Sequence, residues 1–316
     1  MTVLVAGAAG FIGSHLCDFL LDQGCEVVGI DNLSTGNPAN LDGALGRRGF
    51  RFIEHDIVEP LPDVGTVEQI YHLASPASPA DFATMPLQIL AAGSTGTRRL
   101  LDLAEQQGAR LLLASTSEIY GDPQVHPQVE SYWGNVDPIG PRSCYDEAKR
   151  FSEALLTAYR GHRGVDAVII RIFNTYGPRM RPGDGRVLIS FIAQALRGDQ
   201  VTVFGDGDQT RSFCFVTDEV RGIAAAMASG QPGPFNIGNP VETTILDLAR
   251  TVIDLVGSAS EIVRVPLPPE RVGDPTRRCP DITLARRDLG WEPSVALAEG
   301  IRMMIDDVRS RVGGTR

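Results

Sequence analysis

The stretch from Thr2 to Asp31 constrains what this chain can fold into more tightly than any other. Thr2-Val-Leu-Val-Ala6 is a short, unbroken apolar run, as a parallel strand buried on both faces requires. A glycine-rich turn, Gly7-Ala-Ala-Gly10-Phe-Ile-Gly13, follows it. Leu16, Phe19 and Leu20 then recur at helical spacing between Ser14 and Gln23, and Gly24 supplies the stop. Glu26-Val-Val-Gly-Ile30 reads as a second strand closing on Asp31. Strand, turn, helix and strand make one βαβ unit, whose two strands lie parallel.

The alternation continues. Arg51 to Ile53 and Gln69 to Leu73 read as strands, Leu87 to Gln107 as a helix, and Arg110 to Ala114 as a strand. Cys144 to Arg160 reads as another helix and Ala167 to Arg171 as a sixth strand. So regular an order predicts an α/β fold with a doubly wound parallel sheet of the Rossmann type. After Tyr176 come loops rich in Gly, Pro and Arg, among them Gly177-Pro178-Arg179, Arg181 to Arg186 and Gly205-Asp206-Gly207, then shorter helices and the stretch Pro266 to Pro269. This texture predicts a dinucleotide-binding domain over residues 1–175 and a smaller substrate-binding lobe over 176–316, with some segments returning to the first domain. No flexible linker parts the two, which puts the site in the cleft between them.

Composition narrows the function classes. A net charge of −10 over 316 residues argues against a nucleic-acid binder or a binder of anionic membranes, though a local arginine cluster can still hold an anionic small molecule. The apolar stretch Val3 to Leu21 is broken by glycines, Ser14, His15 and Asp18 and has no basic segment before it, so neither a signal peptide nor a membrane span is expected. The five cysteines are far apart and form no CxxC pair, which predicts structural thiols of a reducing cytoplasm and no metal site.

Three motifs carry chemistry. In the glycine turn, the backbone can approach a pyrophosphate, which then sits on the positive end of the helix starting near Phe11. Asp31 ends the next strand 18 residues after Gly13, where a carboxylate accepts hydrogen bonds from an adenosine ribose and repels a 2′-phosphate. The cofactor expected is therefore NAD, not NADP. Asp56, after Phe52-Ile-Glu-His, is a candidate for the adenine amino group, a plain turn residue being the alternative.

The second motif is Tyr145-Asp-Glu-Ala-Lys149. Residues i and i+4 share one helix face, so the ammonium lies beside the phenol, stabilises phenolate and is expected to lower its pKa from about 10 toward neutrality. A base so tuned takes a hydroxyl proton while hydride leaves the same carbon. The third is Ser115-Thr-Ser-Glu118-Ile-Tyr-Gly121, just past the strand ending at Ala114, where open parallel sheets bind ligands. Thr116 is placed to hydrogen-bond the reacting hydroxyl and Glu118 to act as base or polar anchor; a turn capped by Ser and Thr is the competing role.

Several longer runs carry a resemblance: His72-Leu-Ala-Ser-Pro-Ala-Ser-Pro79, Tyr132-Trp-Gly-Asn-Val-Asp-Pro-Ile-Gly-Pro-Arg-Ser-Cys-Tyr-Asp-Glu147 and Arg171-Ile-Phe-Asn-Thr-Tyr-Gly-Pro-Arg-Met180. Gln209-Thr-Arg-Ser-Phe213, Arg278-Cys-Pro-Asp281 and Leu289-Gly-Trp-Glu-Pro293 extend it to the C-terminal part. On these the chain resembles the extended short-chain dehydrogenase/reductases that act on nucleotide sugars, and within them the UDP-glucuronate decarboxylases (UDP-xylose synthases). The resemblance implies oxidation of carbon 4 of the glucuronosyl ring with NAD, with Tyr145 as base and Lys149 as its tuner. The new ketone lies β to the carboxylate and accepts the electrons released as carbon dioxide leaves; protonation at carbon 5 and return of the hydride follow. Donors near the carbon 4 oxygen stabilise the enolate, a role suited to Thr116 and Tyr145.

The same resemblance surrounds the cofactor with Gly7, Gly10, Phe11, Ile12, Gly13, Asp31, Asn32, Ser34, Thr35, Gly36, Asp56, Ile57, Leu73 and Ser75, besides Tyr145 and Lys149. It gives Ser117, Asn174, Arg186, Arg211 and Arg278 to the substrate, with Arg278 near carbon 5 and assisting its protonation. It also implies a homodimer through the helices Leu87 to Gln107 and Cys144 to Arg160.

Related 4,6-dehydratases carry Asp-Glu where this chain has Ser117-Glu118, and serine is a poor general acid, so loss of water is disfavoured. Where many family members have Lys-Thr-Asn, this chain has Ala91-Ala92-Gly93, and the glycine usual before the lysine is Ala148. The lost lysine predicts a looser hold on NADH or the keto-sugar and escape of a UDP-4-keto-pentose. A nucleotide-sugar 4-epimerase or 4,6-dehydratase is the alternative enzyme. A non-catalytic NAD-binding sensor is the alternative outside enzymes, disfavoured by the joint presence of Thr116, Tyr145 and Lys149.

Overall fold

The computed structural model describes residues 1–181, 183–267 and 274–313; Pro182, and with it part of the Arg181 to Arg186 loop, lies outside them, as do Pro268 and Pro269 of the proline-rich stretch. Seven strands build the central sheet: β1 (Thr2–Ala6), β2 (Glu26–Asp31), β3 (Phe50–Glu54), β4 (Gln69–His72), β5 (Arg110–Thr116), β6 (Ala167–Ile172) and β7 (Phe235–Ile237). Side by side they run 7-6-5-4-1-2-3, all in parallel. The order turns back between β1 and β4. At such a switch point the helices leave on opposite faces and open a crevice beyond the strands' carboxyl ends.

Alternation along each strand fills two layers. Val3 and Val5 of β1 face one core with Leu16 and Leu20 of α1 (Phe11–Asp22), while Leu4 and Ala6 face the other with Leu100, Leu111 and Leu113. Burial on both sides is why β1 shows no polar alternation, each fully buried Val or Leu contributing about 1.5–3 kcal/mol.

The helix expected over 87–107 is interrupted. Its first part, α2 (Pro86–Ala91), passes through a wide π turn at Ala92–Gly96 into α3 (Thr97–Gln107). Two glycines and a threonine account for the break. A Cβ on Gly93 would stand 2.8 Å from that of Ala148, one on Gly96 would meet Ile57 at 2.6 Å, and the Thr97 hydroxyl donates to the Ala92 carbonyl at 3.2 Å. The turn thereby settles against α4 (Ser143–Arg163), the helix that carries Tyr145.

The C-terminal part adds α5 (Val187–Arg197), α6 (Val216–Ala228), a parallel pair of strands Val201–Phe204 and Ile262–Val265, and a three-strand ribbon. In that ribbon Thr210–Ser212 lies between Glu242–Thr244 and Arg277–Arg278. β7 leaves this part to pair with β6 at the sheet edge. The five cysteines are free thiols, and burial pushes Cys17, Cys214 and Cys279 up. Among the described residues no helix is long and apolar enough to cross a membrane.

Candidate active site

Two joined compartments lie beyond the carboxyl ends of β1, β4 and β5. The larger, about 500 Å³, runs from the glycine turn to Thr116, Tyr145, Lys149, Asn174 and Arg186; the other, about 370 Å³, extends past Asp31, Asn32, Asp56 and Ile57. Gly7, Gly10, Ser34, Thr35, Gly36, Leu73 and Ser75 wall both. Phe11, Ile12, Gly13, Ser117 and Glu118 line the larger one. Arg211 and Arg278 line neither and stand behind the wall. Ala91 and Ala92 form part of the smaller compartment beside Gln88, so this wall is apolar where a lysine was missing from the pattern.

The turn is shaped for a diphosphate. Gly7 has φ +88°, and the Gly10 N–H donates to its carbonyl at 3.1 Å. A side chain on Gly13 would run into that same carbonyl, which is why α1 can seat itself on the turn. Gly13→Ala is expected to lower stability by about 1–3 kcal/mol through overpacking and to weaken dinucleotide binding; thermal denaturation and cofactor titration read both. Asp31 accepts the Ala9 N–H at 3.0 Å and the Leu33 N–H at 2.8 Å, so it fixes the loop at the ribose end. Burial raises its carboxyl, while those backbone donors lower it. Asp56 accepts from Asn32 Nδ2 and the Val58 N–H, each at 2.9 Å, so it ties the turn together on the compartment wall.

Tyr145 and Lys149 lie on one face of α4, the ammonium 5.9 Å from the centre of the phenol ring and donating to the Ala114 carbonyl at 2.8 Å. The expected lowering of the phenol does not occur. Burial pushes Tyr145 up to about 12, against the downward pull of its hydrogen bond with Thr116 and of the Arg186 charge; Glu118 and Asp146 push the same way as burial. Desolvation penalises phenolate more than one neighbour can offset, and it pulls Lys149 down to about 8. Asn174 lines the cavity with a buried Nδ2 that has no protein partner among the described residues, a donor set aside for a ligand.

Glu118 is an ion-pair partner on both sides. Its Oε2 lies 2.6 Å from Arg142 Nη2 and 3.0 Å from Arg278 Nη2. Burial alone would raise this carboxyl, but Arg278 and Arg142, with Arg211 farther off, hold it at about 2. It is thus a fixed anion and a poor proton acceptor, which favours the anchor role over the base. Arg278, 1% exposed, also donates to the Ser117 carbonyl at 2.7 Å. Arg211 donates to the Pro275 carbonyl at 2.7 Å, and burial lowers it to about 10. Arg142 escaped notice in the sequence, although it stands three residues before Tyr145, at the N-cap of the same helix. Its second nitrogen reaches Asp274 at 2.6 Å.

Residues 4–304 match the family model described as GDP-mannose 4,6 dehydratase. UDP-glucuronic acid decarboxylase 6 of Arabidopsis thaliana is 52% identical over 314 residues, covering 99% of this chain and 90% of that protein. The chain belongs to the UDP-glucuronic acid decarboxylase family. Another member, UDP-glucuronic acid decarboxylase 1 of Xenopus tropicalis, is 51% identical over 310 residues, 98% of this chain and 72% of its own length. The family's fold is shared with a UDP-glucuronic acid 4-epimerase of Bacillus cereus, solved in complex with UDP-glucuronic acid and NAD. It superposes with a TM-score of 0.87 at 30% identity, covering 98% of this chain and all of the other.

Proposed function

We propose that this chain decarboxylates UDP-glucuronate with NAD through a 4-keto intermediate, giving UDP-xylose, UDP-4-keto-pentose or both. One observation carries the reading. Thr116, Tyr145 and Lys149 converge in a cavity continuous with a dinucleotide cradle, and Glu118, the carboxylate that follows Ser117, is locked between two arginines. That arrangement serves oxidation at a carbinol carbon, and Ser117 beside an ion-paired Glu118 is a poor acid for expelling a hydroxyl, which argues against the 4,6-dehydratase. The identity of about half to proteins named UDP-glucuronic acid decarboxylases supports the same choice.

The residues suit NAD: the turn Gly7 to Gly13 would hold the diphosphate and Asp31 the adenosine ribose, with Asn32, Ser34, Thr35, Gly36, Asp56, Ile57, Leu73 and Ser75 around it. When bound, the cofactor supplies the acceptor for the hydride of carbon 4 and a positive charge near the phenol. Tyr145 takes the proton of the carbon 4 hydroxyl, and Lys149 orients and partly neutralises the phenolate. Thr116 and Tyr145 then donate to the carbon 4 oxygen, stabilising the enolate left as carbon dioxide departs. Asn174 and Arg186 hold the nucleotide diphosphate on the opposite wall. Glu118 and Arg278 keep Ser117 and the carbon 5 side of the sugar in place, whereas Arg211, expected on the UDP moiety, is turned to the Pro275 carbonyl behind the wall.

The test is incubation with UDP-glucuronate and NAD, followed by NMR of the sugar signals. UDP-xylose without net NADH is expected if the hydride returns; a keto-pentose with NADH absorbing at about 340 nm marks early release past the apolar Ala91–Ala92 wall. Turnover of other nucleotide sugars only would overturn the assignment. We further infer a cytoplasmic homodimer, supported by Leu87 and Leu90 of α2 and Phe151 of α4, large apolar side chains exposed on the two adjoining helices.

A further inference from the structure

A cluster of planar groups stands against the candidate base without belonging to the reacting set. Phe82, buried in the short helical turn Pro79–Phe82, stacks on Tyr145 with ring centres 5.0 Å apart and planes 18° from parallel. The Arg142 guanidinium carbon lies 5.4 Å from the centre of that same Phe82 ring. Ile89 and Ala148 complete the apolar seat. Arg142 is at the same time the bridge between Glu118 and Asp274, at 2.6 Å to each. One guanidinium therefore links the ring that packs on the base to the carboxylate beside it.

We propose that Phe82 and Arg142 are positioning residues, which hold the Tyr145 phenol at its reacting place and tie that place to the Glu118–Arg278 ion pair. The inference rests on Tyr145 being the base. The helix fixes the root of the tyrosine, but the tilt of its ring is set by what lies against its face, and here that is Phe82. A displacement of about 1 Å at a reacting group costs on the order of a hundredfold in rate. Arg142 is suited to both of its contacts because its fork is planar: it lies against an aromatic ring and chelates carboxylates, which a lysine does not reproduce.

The groups that face the phenol give the second consequence. They are Thr116 at the end of β5 and Glu118 in the turn after it, Asp146 and Lys149 from its own helix, and Arg186 from the start of α5. Arg142, Arg211 and Arg278 in turn face Glu118. Taking away the Arg142 charge leaves Glu118 less neutralised, which disfavours phenolate. The pH at which the base becomes active then rises.

The experiment compares Phe82→Leu, Phe82→Tyr, Arg142→Lys and Arg142→Gln with the parent enzyme, using UDP-glucuronate and NAD, and records kcat, KM, pH profile and Tm. Phe82→Leu is expected to lower kcat about tenfold to a hundredfold with KM within about twofold, the pattern of a lost transition-state contact. Phe82→Tyr keeps the ring and is expected to retain kcat within about threefold. Arg142→Lys fails to restore kcat, and Arg142→Gln moves the rising limb of the profile to higher pH. Unchanged kcat in Phe82→Leu overturns the proposal, as does a rate loss equal in Phe82→Leu and Phe82→Tyr that follows a fall in Tm. Tyr145→Phe separates the two levels: an active Tyr145→Phe overturns the base itself, whereas an inactive one beside an unimpaired Phe82→Leu overturns only the positioning.

Discussion

Replacing Tyr145 with Phe is expected to lower the turnover of UDP-glucuronate by about a thousandfold, within the range that a positioned acid–base group contributes. The ring is buried, 6% exposed, and its stack on Phe82 at 5.0 Å does not involve the hydroxyl, so the variant keeps its shape and packing. What is lost is the proton acceptor, the donor to the carbon 4 oxygen and the hydrogen bond with Thr116. The first two act in the transition state, so kcat falls while KM and cofactor binding stay close to the parent values. The pH dependence sharpens this. A phenol pushed up by burial is a base only when positive charge beside it favours phenolate, so activity in the parent rises with pH as the phenol deprotonates. Stopped-flow formation of NADH from UDP-glucuronate reads the step directly. A Tyr145→Phe variant that forms NADH at the parent rate contradicts the assignment.

Arg278→Met carries the largest expected loss of stability. The side chain is 1% exposed and holds the Ser117 carbonyl at 2.7 Å and Glu118 at 3.0 Å. Breaking a buried pair by removing one partner costs about 3–5 kcal/mol, and Arg142, which still neutralises Glu118, sets the value here at about 3. The loss depends on pH in a definite sense. Glu118 is held at about 2, below its ordinary value of 4.5, so its pairing stabilises the fold fully above pH 4.5 and is lost as pH falls toward 2. The gap between parent and variant is therefore widest near neutrality and narrows in acid. Urea denaturation at pH 7 and pH 3 measures it. An equal gap at both values means that packing, and not the ion pair, is what Arg278 supplies.

What could be read from the residues alone was whatever is local. Val3 to Ala6 has no polar alternation because both its faces are buried, and that absence is visible in one dimension. Lys149 four residues after Tyr145 puts both on one helix face whatever surrounds them, and the 5.9 Å separation follows from helix geometry. The direction in which the phenol shifts is another matter, because burial by Phe82, Ile89 and Ala148 is tertiary and opposes the effect that the helix pair suggests. β7 is only Phe235–Ile237, too short for a period to register, and it finds its place by pairing with β6 some 65 residues earlier. The break in the helix after Ala91 depends on the fit of Gly93 against Ala148 and of Gly96 against Ile57, contacts that no spacing encodes. Arg142 and Asp274 meet across 132 residues, so the frame that fixes Glu118 was hidden even though Glu118 and Arg278 stood out.

Carbon-13 label in the carboxyl group of UDP-glucuronate puts the central claim to the most direct test. Decarboxylation predicts that the label leaves as carbon dioxide at the rate at which UDP-glucuronate disappears, that a Tyr145→Phe variant releases it about a thousandfold more slowly, and that the UDP-pentose formed carries none. Label retained in a UDP-hexuronate epimerised at carbon 4 contradicts the claim and assigns the cavity to epimerisation instead.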